Sequence, residues 1–239
     1  MLIQCDASQL EWRTALELSQ DWVGINEIIN GEDTHANNQS AFDLPSRLIA
    51  KIFLFRTIFR GSGWAFANDA DFMHVSSSAE FWDGMNEKFY AKYKALDAKH
   101  KEWMQTVSMG KAIEGPLGRS WYIPMGRDFR GNLKLPINAL TNYPVQGTGA
   151  DIMTIARISA YNRIKKAKIP CDFISTVHDS IVLDTHTRYI NDLNDIFNGV
   201  FADLPLNIKN IFGYDWKCPM ACETKYGPDM KNMKKVLTT

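Results

Sequence analysis

The sequence predicts an α+β protein, a small antiparallel sheet that carries a long helical insertion. Three observations predict it. β-rich runs stand near both ends of the chain, at Leu2 to Cys5 and at Cys171 to Asp184. The stretch between them is dominated by helical spacing. The late β-rich run is broken by one tight polar turn, so it reads as a hairpin. Strands at the ends with helices between them fit a sheet interrupted by a helical excursion.

The elements follow in order. Leu2 to Cys5 is an apolar run before Asp6 and reads as a buried strand. Glu11 to Ser19 has helical spacing, and Asn30-Gly31 marks a turn. Pro45 suits a first helical turn, and the helix it opens runs over Ser46 to Phe59. Gly61 and Gly63 end it. Phe81 to Val107 reads as one or two long amphipathic helices. Gly115-Pro116 and Gly118 are turn signals, with short strands expected at Ser120 to Pro124 and Asn132 to Leu135. A long helix is expected from Pro144 to about Lys166, then the hairpin of Cys171 to Val177 and Ser180 to Asp184. Ile190 to Phe201 is helical, Asp215 to Glu223 forms a last strand, and the basic tail from Lys231 to Thr239 is expected to be mobile.

Composition limits the function classes. The chain has 239 residues, 45% apolar and 23% charged, as an ordinary globular protein does. Lys+Arg and Asp+Glu both number 27, so net charge is zero. A chain that grips duplex DNA alone usually carries a basic excess, because phosphate contacts supply most of the affinity. Either the cations are gathered in a cleft or another chain supplies much of the grip. The four cysteines, Cys5, Cys171, Cys218 and Cys222, have neither disulfide-framework nor zinc-site spacing. No apolar run approaches the ~20 residues a membrane helix needs. The start carries no basic leader and meets a charge at Asp6. These features read as a cytoplasmic, reduced protein without a membrane partner.

Four segments carry chemistry. Asp6-Ala-Ser-Gln-Leu-Glu-Trp-Arg13 puts a carboxylate where a strand emerges into a polar turn. Val177-His-Asp-Ser180 puts another at the hairpin tip. Two carboxylates on neighbouring strands make a dense negative site of the kind magnesium accepts, since it wants oxygen ligands and keeps waters and phosphates around it. Arg47, Lys51, Phe55 and Phe59 are spaced four apart, a slowly rotating stripe of two cations and two aromatics on a helix. Such a stripe fits a nucleoside triphosphate laid lengthwise, phosphates on the cations and sugar and base on the rings. Asn142 and Gln146, also four apart, can read base edges or sugars from one helix face. Each segment alone also has a plainer reading. Aspartates cap turns, long cations snorkel out of buried helices, and polar residues open helices.

Together and in this order the segments resemble the DNA polymerases of the bacterial polymerase I type, family A. Asp6-x-Ser8-Gln9-x-Glu11-x-Arg13 is similar to the family's motif A, Arg47-x3-Lys51-x3-Phe55-x3-Phe59 to motif B, and Val177-His178-Asp179 to motif C. Pro144-x-Gln146-Gly-Thr-x-Ala-Asp151 resembles its palm helix, and Gly31-x-Asp33-x-His35 the segment between motifs A and B. Gly118-Arg119 resembles the family's turn before the later strands, and Lys225-Tyr-Gly-Pro228 resembles phage members.

The resemblance implies a polymerase palm with a helical fingers insertion: palm over 1–30, fingers over 31–115, palm again over 116–239. It implies template-directed DNA synthesis on a primer–template with dNTPs. Asp6 and Asp179 would bind two magnesium ions. Arg47, Lys51 and His35 would hold the triphosphate, with Lys51 protonating the departing pyrophosphate. Glu11 would crowd the sugar 2′ position, Phe55 would pack on the sugar, and Gln9 and Phe59 would lie at the nucleotide. Arg13, Asn142, Gln146 and His178 would touch the primer–template. Three positions depart from the family. Phe59 stands where Tyr is usual, Ser180 where an acid commonly follows the motif C aspartate, and Asn138 where an Arg is usual.

Family members place a thumb and an exonuclease domain before motif A, whereas Asp6 lies near the start here. The expectation is a phage-like split polymerase, this chain being the catalytic subunit and a second chain supplying the thumb and perhaps the exonuclease. A sheet begun at its catalytic strand is expected to leave a bare edge. The competing readings are a non-catalytic scaffold or DNA-binding subunit, and a single-subunit RNA polymerase.

Overall fold

The computed structural model describes residues 1–236. The chain divides into two compact units, Met1–Leu10 with Gly147–Thr239, and Glu11–Gln146.

The first unit is built on a five-stranded antiparallel sheet. Its strands are β1 (Leu2–Ala7), β6 (Cys171–Val177), β7 (Ser180–Thr185), β8 (Cys222–Gly227) and β9 (Lys234–Lys235), in the order β6-β7-β1-β8-β9. Ile3, Cys5 and Ala7 alternate into the core, as a half-buried strand requires. α9 (Ile190–Ala202) lies against β8 and β1. It buries Leu193, Phe197, Val200 and Phe201, and α10 (Leu204–Phe212) adds Leu204 and Ile208. β1 is the central strand, paired with β7 on one side and β8 on the other. The expectation of a bare edge at the catalytic strand is therefore corrected. The edges are β6 and the two-residue β9.

The late strand is also shifted from its expected place. Residues 215–221 are irregular, because Pro219 cannot donate to a ladder and the Trp216 indole N–H donates to the Cys218 carbonyl instead. The strand starts only at Cys222. The tail, expected to be mobile from Lys231, pairs through β9 and buries Val236. Residues 237–239 lie outside the described residues.

The second unit is helical. α1 (Leu10–Ser19), α2 (Trp22–Ile29), α3 (Thr34–Ala41), α4 (Arg47–Thr57), α5 (Gly63–Ala67), α6 (Ala79–Lys92) and α7 (Lys94–Ser108) surround an aromatic core. Phe53, Phe66 and Trp82 stack or tilt on one another, and Trp12 meets Tyr93 edge-on at 5.0 Å. One carboxylate, Asp21, caps two helices. Oδ1 accepts from Val23 and Gly24 at the start of α2, and Oδ2 from Ala95 and Leu96 at the start of α7. Each N–H so satisfied is one of the orphan donors of a helix start. Two short hairpins follow, β2 (Ile113–Glu114) with β3 (Ser120–Trp121), and β4 (Gly126–Arg127) with β5 (Leu133–Lys134).

α8 (Ile137–Ala167) begins seven positions before the Pro144 expected to open it. Proline costs the helix one backbone donor. The buried stripe Leu140, Thr141, Val145 and Thr148 continues across it and holds both halves in register.

Candidate functional site

In the sheet unit the carboxylates are placed by backbone register. Asp6 pairs with Ser180 across β1 and β7, so Asp179, the preceding residue, lies at the turn beside it. The Ala7 N–H donates to the Asp179 carbonyl at 2.9 Å, and the Ser180 hydroxyl donates to the Val177 carbonyl at 3.0 Å. Both aspartates are half-buried. Gln9 and His178 both have φ of +52°, in the left-handed region that non-glycine residues rarely adopt. They flank the two carboxylates in sequence, and such backbone strain gathers at functional sites. His178 is exposed at the hairpin tip.

One neighbour escaped the sequence reading. Glu223 sits directly opposite Asp6 in the β1–β8 register. Lys235 and Lys225 approach its carboxylate at 2.6 and 3.3 Å and hold it below the usual carboxylate range. Only strand pairing, which the sequence does not display, brings it there.

In the helical unit the candidate groups ride on side chains. α4 starts at its N-cap Ser46, whose hydroxyl accepts from the Ile49 N–H. Its buried face is Ile49, Ala50, Phe53, Leu54 and Thr57. Arg47 and Lys51 are exposed, and Phe55 and Phe59 are half-buried. The stripe expected from four-residue spacing thus faces out of the core. It is helical only as far as Thr57. Phe59 follows in a turn whose N–H donates to the Arg56 carbonyl, so the helix expected to reach Phe59 is two residues shorter.

His35 is on α3, 2% exposed, with its ring 6.1 Å from that of Phe55. Burial, then the Arg47 charge, pushes it down to about 4, so it is neutral at physiological pH. Asp33 joins α3 to α4. Its Oδ1 caps α3 by accepting from His35 and Ala36, and its Oδ2 accepts from the Arg47 Nε at 2.7 Å. α3 is itself anchored by a polar cluster. The Tyr93 hydroxyl and Lys92 ammonium both reach Glu27 and Asn38 at 2.7–3.0 Å. A buried carboxylate such as Glu27 requires partners of this kind.

The Gln146 amide donates to the Glu11 carboxylate at 3.0 Å. Arg13 is half-buried on α1. Phe55, Phe59 and Asn142 share a cleft of about 500 Å³ with Arg56, Asn138 and Tyr143. The expected groups are therefore gathered within their own units. Asp6, Asp179, His178 and Gln9 cluster in one. His35, Arg47 and Phe55, then Phe55, Phe59 and Asn142, cluster in the other, with the Glu11–Gln146 pair.

Two adjacent carboxylates form an all-oxygen donor set that suits magnesium, whose shell is completed by water and phosphate. Among the described residues no group of three or more His, Cys, Asp or Glu is disposed to hold an ion. Ser180 supplies no third acid beside Asp179.

The sheet with its aspartate-bearing hairpin, interrupted by a helical insertion, is the palm-and-fingers framework of a nucleic-acid polymerase. More narrowly, the chain belongs to DNA polymerase family A, whose model matches residues 1–232. It is similar to DNA polymerase I of Aquifex aeolicus, 25% identical over 228 residues that cover 88% of this chain and 38% of that protein. It is likewise similar to the thermostable DNA polymerase I of Thermus aquaticus, 25% identical over 237 residues, covering 90% of this chain and 27% of the relative. The chain thus spans well under half the length of these relatives. Its fold matches the POL domain of Pol1 from M. smegmatis, solved in complex with DNA primer-template and dNTP. That match has a TM-score of 0.78 at 22% identity and covers 95% of this chain and 39% of the other. Among the described residues no helix is long and apolar enough to cross a membrane.

Proposed function

We propose that this chain carries the catalytic centre for template-directed DNA synthesis, extending a primer 3′-OH with dNTPs. The observation that carries the reading is the register that sets Asp6 beside Asp179. Those two carboxylates would hold the magnesium ions, which when bound supply charge neutralisation at the reacting phosphate. In this reading residues 1–30 and 116–239 act as palm and residues 31–115 as fingers.

The residues have distinct tasks in this reading. Arg47, Lys51 and neutral His35 bind the triphosphate, Arg47 exchanging Asp33 for phosphate oxygens. Phe55 packs on the sugar and, with Phe59 and Gln9, defines the nucleotide's seat. Glu11, held by the Gln146 amide in place of a Tyr hydroxyl at position 59, blocks the sugar 2′ position. Arg13, Asn142, Gln146 and His178 position the primer–template. The primer 3′-oxygen bonds to the α-phosphorus as the bond from that phosphorus to the α–β bridging oxygen breaks, the 3′-OH proton passes to solvent water, and Lys51 protonates the departing pyrophosphate.

The reading includes a second polypeptide that helps to grip DNA. Its support is the zero net charge and the β6 edge, where Ile174 and Val177 are 57% and 47% exposed. The test is primer extension with magnesium and dNTPs, alone and with candidate partners. Asp179→Asn should lower the rate at least about a thousandfold. Extension that survives this substitution removes the catalytic assignment. Full extension by the chain alone removes the partner.

A further inference from the structure

We propose that the β4–β5 hairpin binds a single nucleic-acid strand, the unpaired template ahead of the primer end. Phe129 is its stacking surface, and Arg127, Arg130 and Lys134 supply positive charge for the backbone. The proposal rests on the polymerase reading above.

Phe129 sits at the hairpin tip and is 92% exposed. Phenylalanine is among the residues most often buried, and a ring presented to water on a built turn is open to an occupant. The turn is well held. The Asp128 carboxylate accepts from the Arg130 and Asn132 N–H groups at 2.8 and 2.9 Å and from the Asn132 amide at 3.2 Å. The Gly131 N–H donates to the Asp128 carbonyl at 3.0 Å, and Gly131 takes the required φ of +83°. Arg127 Nη1 donates to the Gly131 carbonyl at 2.6 Å. The Arg130 guanidinium lies 5.1 Å from the Phe129 ring centroid.

The charge balance selects the partner. The hairpin's one carboxylate is engaged by the turn, while the hairpin carries three cations, of which Arg130 lies by the ring. A rigid aromatic face among cations suits a single strand of any sequence, because every base has a π-face and every linkage a negative charge. A protein partner would call for an apolar core around the ring; apart from Leu133, 66% exposed, this hairpin offers charged or polar residues and glycine beside it. Position agrees as well. Two residues, Leu135 and Pro136, join β5 to α8, whose Asn138 and Asn142 line the cleft with Phe55 and Phe59. Hairpin and cleft belong to one compact unit.

The test compares binding of the chain, with any partner that proves necessary, to a primer–template bearing a 5′ overhang and to the same duplex made blunt. A 2-aminopurine in the overhang reports stacking. Phe129→Ala should weaken overhang binding about tenfold, the scale of one base–aromatic stack, and restore 2-aminopurine emission. Phe129→Trp should retain both, which guards against simple misfolding. Arg130→Ala should reduce the salt dependence of overhang binding by about one phosphate contact. Equal affinity of wild type and Phe129→Ala for the overhang overturns the proposal, as does an equal loss on the blunt duplex. Primer extension on the same template, against Asp179→Asn, reports separately on the polymerase reading.

Discussion

The two units hold their candidate groups by opposite means. In the sheet unit, Asp6 is a short side chain on a paired strand and Asp179 one at the turn joining β6 to β7, and the backbone ladder decides their separation. In the helical unit, Arg47 and Lys51 are long, exposed side chains on one helix face, and Arg47 is already engaged by Asp33. Short carboxylates on a ladder suit a task that tolerates little displacement. Long cations in an exchangeable pair suit a substrate that must enter and leave.

Within that contrast, the larger expected effect tests the rigid half. Asp6→Glu keeps the charge and adds one methylene, displacing the carboxylate by about an ångström. That should lower kcat roughly a hundredfold, as small misplacements at reacting centres do, while Arg47→Lys should act chiefly on the dNTP KM. Pre-steady-state extension separates the two parameters. Similar kcat losses in both variants would erase the distinction.

The next effect concerns stability. His35 is pushed down to about 4 and His100 to about 3, in each case first by burial. His100 Nδ1 accepts from the Arg60 Nε at 3.1 Å, which also requires the neutral ring. In the unfolded chain both protonate near pH 6.5. Stability from these residues is therefore complete above pH 6.5 and declines as pH falls toward 4 and then 3. Down to pH 4 the loss is about 3 kcal/mol for each. Urea denaturation between pH 4 and 7 should show the decline, and His100→Gln should flatten it. An unchanged slope would show that His100 does not carry it.

The smallest effect tests the exchangeable pair. Asp33→Asn keeps an α3 cap, since Asn caps as well as Asp, but releases Arg47. The dNTP KM should fall by no more than about fivefold, the scale of an exposed ion pair. A rise would mean that Asp33 orients Arg47 for phosphate and does not compete with it.

Much of this was legible in the residues. Arg47, Lys51 and Phe55 share one stripe of α4 as four-residue spacing requires, and the polar 178–179 turn between the two β-rich runs carries the aspartate. The misses have local causes. Pro144 signals a helix start, yet the buried stripe on either side of it carries α8 back to Ile137. The run 215–223 looks strand-like, yet Pro219 and the Trp216 bond delay the strand to Cys222. Glu223 gave no local sign of its place beside Asp6.

The sequence by itself determined the periodic patterns and the identity of the chemical groups, because both are carried by residues near one another along the chain. Only the tertiary structure decided which strands pair, that β1 is central, that Glu223 faces Asp6, and that Gln146 reaches Glu11. Those are contacts between residues distant in sequence. They are settled by strand register and by burial of the whole core, and no local spacing encodes them.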